Sequence, residues 1–158
     1  MISQPLFSIP NEVEKLRLSK FEFFFCGSRE MASRFPNADF NLHRDSDWDF
    51  AVEDSSEVRA FLNQEGFMIK QKALYANPGM TRNSVDVILY PPEDFFYFKI
   101  FWQAITSETY SRFFRNVDRT ERIKNYFLLF KLCKDIHRMT PDNLTALIQL
   151  KEKQNEVF

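Results

Sequence analysis

Glycine is scarce in this chain, with 3 among 158 residues, and cysteine is scarcer still at 2. So few glycines leave few places where the backbone takes positive φ freely, and each one therefore marks a position with a backbone reason. The cysteines, Cys26 and Cys133, lie in apolar segments with no metal-ligand spacing. That excludes a cysteine-held zinc site and fits a reduced, intracellular protein. No apolar run approaches the roughly 20 residues that cross a bilayer, even around Phe95–Ile105, so no membrane partner is expected. Met1 to Pro10 has neither the basic start nor the apolar stretch of a signal peptide, and the cytoplasm is the expected compartment.

What is present is globular. Apolar residues make up 44% and charged residues 27%, and Phe alone accounts for 19 positions. The length suits one ordinary domain able to bury roughly two thirds of its unfolded surface. The net charge of −1 hides a dipolar layout. From Asp39 to Gly66 stand Asp39, Asp45, Asp47, Asp49, Glu53, Asp54, Glu57 and Glu65 against Arg44 and Arg59. From Thr109 to Arg138 eight basic residues face Asp118, Glu121 and Asp135. Such a layout suits a protein holding metal ions and polyanionic phosphates side by side, or simply two solvated faces.

Along the chain, Val13 and Leu16 give Asn11–Ser19 a helical spacing. The aromatic run Phe21–Cys26 ends at Gly27 and reads as a buried strand, followed by a helical turn over Ser28–Arg34 and a loop over Phe35–Arg44. Asp47–Val52 alternates, with Asp47, Asp49 and Ala51 on one face and Trp48, Phe50 and Val52 on the other. A helix over Ser55–Gln64, capped by Asp54 or Ser55, closes near Gly66. Phe67–Tyr75 and Ser84–Tyr90 read as two strands joined by the turn Asn77-Pro78-Gly79. From Pro91 the periodicity is helical. Its longest element is Arg119–Arg138, whose core-facing stripe is expected to be Ile123, Phe127, Phe130, Cys133 and His137. A last helix starts at Thr140-Pro141. The expected fold class is α+β: a short mixed sheet flanked by helices in the front half and a helical C-terminal half. One domain covers 1–158, with a catalytic core over 1–90 and a helical portion over 91–158.

The chemistry concentrates in Asp45-Ser46-Asp47-Trp48-Asp49-Phe50. On a strand, residues two apart share a face and lie about 6.6 Å apart, so Asp47 and Asp49 converge on one side. Two carboxylates so aimed repel unless a cation lies between them. Mg²⁺ prefers such oxygen ligands and shares its shell with phosphates and water. Asp86 stands in Val85-Asp86-Val87, an otherwise apolar strand where a carboxylate is costly without a partner. Gly27-Ser28, between a strand and a helix, offers free backbone N–H groups to a phosphate, and Arg29 could add a charge-assisted contact. Each signal alone is weak; their order along the chain is more specific.

That order resembles the DNA-polymerase-β-like nucleotidyltransferase superfamily, through Cys26-Gly27-Ser28-Arg29, then Ser46-Asp47-Trp48-Asp49-Phe50, then Val85-Asp86-Val87. The resemblance covers about Phe21 to Tyr90. It implies a nucleotidyltransferase-like fold and an enzyme moving a nucleoside monophosphate from an NTP to a hydroxyl, with release of pyrophosphate. By resemblance, Asp47, Asp49 and Asp86 are the metal-site acids for Mg²⁺ or Mn²⁺, with Asp86 also serving the attacking hydroxyl, while Gly27 and Ser28 hold the β- and γ-phosphates. Ala32 stands near the place of a second family glycine, and the 18 residues from Arg29 to Ser46 make a longer spacer than usual. Asp45-Ser46-Asp47 offers an alternative metal frame that adds Asp45; the apolar continuation Phe50-Ala51-Val52 favours Asp47 and Asp49. The acceptor is open among RNA, a protein and a small hydroxylated compound such as an antibiotic. A non-catalytic nucleotide-binding or interaction module is the alternative from another class.

Other residues read as ordinary surface or core. His43, His137 and Cys26 have packing or solvent explanations. Lys131, Lys134 and Arg138 share a helix face, and Arg112 and Arg115 flank two phenylalanines, a weak basic-aromatic pattern for nucleic acid. Arg82 and Asn83 precede the Asp86 strand and could reach substrate.

Overall fold

The computed structural model describes residues 9–38, 46–71, 73–77 and 84–136, without the side chains at 129, 132, 133, 135 and 136. The chain divides into two compact units, Met1–Phe95 and Phe96–Phe158. The α+β class holds, with a mixed five-stranded sheet among the described residues.

The first unit runs α1 (Asn11–Arg17), β1 (Phe24–Cys26), α2 (Gly27–Arg34), β2 (Trp48–Glu53), α3 (Ser56–Gln64), β3 (Met68–Gln71), β4 (Leu74–Ala76) and β5 (Val85–Tyr90). The strand order is β1-β2-β5-β4-β3. β2 and β5 are parallel and the other neighbours antiparallel. The crossover between β2 and β5 carries α3 and the β3–β4 hairpin, which gives a parallel pair the length it needs.

Alternation within strands decides which face is buried. Trp48, Phe50 and Val52 of β2 and Val85, Val87 and Leu89 of β5 join Val13, Leu16, Val58, Leu62, Phe67 and Tyr75 in one apolar core. Phe25 lies against Trp48 and Phe50 at ring-centroid distances of 5.7 and 5.4 Å. The opposite face of these strands is left for Asp49, Ala51 and Asp86. α3 starts where Ser55 Oγ accepts from Val58 N at 3.0 Å, as the capping pattern suggests. It ends before Gly66, whose φ of 89° allows the turn into Phe67.

Two expectations need correction. Phe67–Tyr75 is not a single strand but holds β3 and β4, paired as a hairpin with a register shift between Ile69 and Gln71. The run is long enough for two short strands, and Phe67 and Tyr75 at its ends reach the core while Met68 and Ile69 are exposed.

The second correction concerns the helical unit. α4 (Pro92–Ala104) begins within the first unit and continues into the second. There follow α5 (Ser107–Tyr110), a π-helical turn (Ser111–Arg115) and α6 (Arg119–Ile136). Ile123 and Phe127 of α6 are 45% and 70% exposed, so they do not form its core stripe. The inner face belongs instead to Asn125 and Tyr126. Tyr126 packs on Phe114 at 4.4 Å and on Phe101 and Trp102 at 6.3 Å. Buried Asn125 donates from Nδ2 to the carbonyl oxygen of Phe113 at 2.8 Å, inside the π-helical turn. An aromatic cluster and the need to satisfy a buried carbonyl outweigh the apolar spacing read from the sequence. The Cys133 side chain, His137 and the helix expected at Thr140-Pro141 lie outside the described residues.

Candidate active site

The strand pairings place one row of residues across the whole sheet. Cys26 on β1 is opposite Asp49 on β2, Asp49 is opposite Asp86 on β5, Asp86 is opposite Ala76 on β4, and Ala76 is opposite Met68 on β3. Residues directly opposite share a face, so Asp49 and Asp86 project from neighbouring strands on the side away from the apolar core. Asp47, just before β2 and two residues before Asp49, is exposed at the same end. Trp48 N donates to Ser84 O at 2.8 Å and ties the starts of the two strands together.

The electrostatics follow from that placement. Burial pushes the Asp49 carboxyl up to about 7, and Asp86 and then Asp47 add to the rise, while Lys70 and Arg29 oppose it. Asp86 is raised as well, by burial first and by Asp47 second, with Lys70 and a hydrogen bond from Ser84 pulling the other way. Three carboxylates thus feel one another, and the free site holds more negative charge than its surroundings neutralise. The thiol of Cys26, behind Asp49 in the row, is pushed up by burial and by the charges of Asp49 and Glu30, which argues against a nucleophilic role.

Gly27 opens α2 with φ 82°, a conformation that side chains disfavour. A Cβ there would come within 2.8 Å of Asp49 Cβ and run into the Asp49 carboxylate. The glycine is what allows the first turn of α2 to lie against that acid, and Ser28 follows it in the same turn. Arg29, expected beside phosphates, is only 3% exposed. Its Nε donates to Ser46 O at 2.9 Å and its Cζ stands 4.6 Å from the centre of the Trp48 ring.

Three further residues touch the site and escaped the sequence reading. Ser84 Oγ lies 3.1 Å from Asp86 Oδ1 and 3.4 Å from Asn77 Oδ1. Asn77 Oδ1 also accepts from Val85 N at 2.7 Å, which fixes the amide's orientation and ties the end of β4 to the start of β5. Lys70 on β3 is close enough to favour ionisation of both Asp49 and Asp86. Ser84 was discoverable, because it precedes Asp86 by two and so shares its strand face. Lys70 was not, since only the fold of the β3–β4 hairpin brings it near.

Among the described residues, no group of three or more His, Cys, Asp or Glu side chains stands ready to hold a metal ion. The donors nevertheless fit Mg²⁺ or Mn²⁺ chemically. They are carboxylate oxygens only, and two such ligands suffice where water and phosphate oxygens complete the shell. The narrow space that a Cβ at Gly27 would fill lies against one of them. Asp45, of the alternative frame, and His43, Arg82, Asn83, His137 and Arg138 lie outside the described residues. Arg112 and Arg115 on the π-helical turn, and Lys131 and Lys134 on α6, belong to the second unit. Among the described residues, no helix is long and apolar enough to cross a membrane.

Comparison with protein-family models, with curated proteins and with solved structures gives no match in any of the three.

Proposed function

We propose that the first unit is a metal-dependent nucleotidyltransferase that moves a nucleoside monophosphate from an NTP to a hydroxyl and releases pyrophosphate. The observation that carries this reading is the pairing of Asp49 with Asp86 on parallel neighbouring strands, with Gly27 at the head of α2 packed against Asp49. Support comes from the mutual repulsion of the carboxylates, which a divalent cation would relieve.

Asp47 and Asp49 would hold Mg²⁺ or Mn²⁺, with Asp86 as a third acid. The ion, when bound, supplies charge neutralisation for the triphosphate and lowers the barrier to attack by the hydroxyl. The chain's own residues do the rest by positioning. Backbone N–H groups at Gly27 and Ser28 bind and orient the β- and γ-phosphates at the start of α2. Asp86, steadied by Ser84, takes the proton from the acceptor hydroxyl. The hydroxyl oxygen forms its new bond to the α-phosphorus, the bond from that phosphorus to the bridging oxygen breaks, and pyrophosphate leaves with the electron pair. The apolar core beneath Trp48 and Val85 keeps both strands in register during this exchange. The acceptor is RNA, a protein or a small hydroxylated compound.

The test is pyrophosphate release from each NTP with Mg²⁺ or Mn²⁺, with and without cellular RNA or lysate. Asp47→Asn and Asp49→Asn are expected to reduce turnover by about a hundred- to a thousandfold, on the order of what removing a group that stabilises transition-state charge costs. Unchanged turnover in both variants would exclude this site. A second reading, a non-catalytic nucleotide-binding module, draws on the absence of a ready-made three-ligand group among the described residues. NTP binding with no pyrophosphate release under any condition would favour it.

A further inference from the structure

The carboxylates need a scaffold that holds them at one another's distance against their repulsion, and one buried cation is placed to provide it. Arg29 extends from the first turn of α2 towards the entrance of β2. Its Nε donates to the carbonyl oxygen of Ser46 at 2.9 Å. Its guanidinium carbon lies 4.6 Å from the centre of the Trp48 ring. Ser46 and Trp48 are the two immediate neighbours of Asp47.

We propose that Arg29 is a positioning residue that grips both neighbours of Asp47 and so fixes where that carboxylate stands beside Asp49. The inference rests on the metal-dependent reading above. It differs from that reading in giving Arg29 to the strand rather than to the nucleotide. A residue only 3% exposed has little surface left for a phosphate. Burying a cation is costly unless its surroundings compensate, and here a carbonyl, an aromatic face and the field of Asp49 offset part of that cost. The hydrogen bond joins residues 17 apart in sequence and so ties α2 directly to the start of β2. Gly27 and Arg29 are two apart in one helical turn. The same turn that lies against Asp49 therefore holds Ser46 by its carbonyl and Trp48 by its ring, on either side of Asp47, and a shift of α2 would move both acids together.

Lysine keeps the charge but loses the planar fork that bonds a carbonyl while stacking on a ring. Arg29→Lys is therefore expected to weaken Mn²⁺ binding to the full chain, measured by titration without nucleotide, by about ten- to a hundredfold, as loss of groups that orient metal ligands does. Its kcat for pyrophosphate release should fall by a similar factor, with KM for NTP within about threefold of the parent value. Melting curves check that the variant is folded. Trp48→Phe and Trp48→Leu form a second, independent pair. Phe keeps an aromatic face for Arg29 and should retain Mn²⁺ affinity, whereas Leu should lose it. Parent-like Mn²⁺ affinity in Arg29→Lys, or equal affinity in the two Trp48 variants, overturns the inference and leaves the metal site standing. A raised KM with unchanged kcat overturns it too, since it would return Arg29 to the phosphates. If the parent chain neither binds Mn²⁺ nor releases pyrophosphate, the metal-dependent reading itself fails and the inference falls with it.

Discussion

At the scale of single residues, Asp49 is the most consequential position. Its carboxyl is held up at about 7 against an ordinary value of 3.8, so the folded chain binds a proton that the unfolded chain has released. Between those two values the folded state is the one that holds more protons, and stability must therefore fall as pH rises. Below about pH 4 this penalty is absent, and above about pH 7 it is complete. The metal-free protein is expected to lose on the order of 4 kcal/mol across that window through Asp49, taking about 1.36 kcal/mol per unit of displacement. Asp49→Asn should flatten the decline and stabilise the protein at pH 8 while abolishing turnover. Added Mg²⁺ or Mn²⁺ should stabilise the parent at pH 8 more than the variant. Chemical denaturation at pH 4, 6 and 8 measures all three, and a parent stability that does not decline would contradict the placement of these acids. The alternation of Trp48, Phe50 and Val52 with Asp47 and Asp49 was legible in the sequence, because strand geometry is a matter of neighbouring residues. The proximity of Lys70 was not, because no local pattern links β3 to β2.

At the scale of elements, two glycines next to helices show how context sets their weight. Gly27 and Gly66 have similar φ values, 82° and 89°. A Cβ at Gly27 would collide with Asp49, whereas one at Gly66 would meet nothing within 4 Å. Gly66→Ala is expected to cost about 1 kcal/mol for the disfavoured backbone region and to leave turnover intact. Gly27→Ala should cost more than that and remove activity, since either α2 or Asp49 must move. Thermal melts paired with pyrophosphate release separate the two, and equal effects on activity would refute the close packing of α2 on the acid. The sequence also marked most element boundaries well: α1, α2, α3, β2 and β5 fall within a few residues of their expected spans. It missed the hairpin in Phe67–Tyr75 and the inner face of α6. In α6 the apolar spacing of Ile123 and Phe127 competed with Tyr126, and the choice depended on the cluster of Phe101, Trp102 and Phe114.

At the scale of the whole molecule, the charge layout follows the two units. The first carries ten basic and fifteen acidic side chains, and the second eleven basic and seven acidic. An acidic unit is suited to cations and a basic one to polyanions. Were RNA the acceptor, contacts between its phosphates and Lys and Arg side chains would make the reaction sensitive to salt. RNA-dependent pyrophosphate release at subsaturating RNA is then expected to fall by about tenfold or more between about 50 and 200 mM salt, as counterion release predicts for several phosphate contacts. Release with a small-molecule acceptor should change much less. Equal salt dependence with both acceptors would remove RNA from consideration.

The sequence by itself determined what depends on short range. It set the two faces of β2, the cap at Ser55, the turn at Gly27 and the chemical character of the acids, because strand and helix periods and caps involve residues only a few positions apart. Tertiary structure alone decided what depends on competition between distant segments. It paired Asp49 with Asp86 across a parallel crossover, brought Lys70 within reach of both, buried Arg29 against Ser46 and Trp48, and turned Tyr126 rather than Phe127 inward. Each of these is settled by which side chains leave water together and which buried polar groups must then be satisfied, and that balance exists only once the sheet and its helices have assembled.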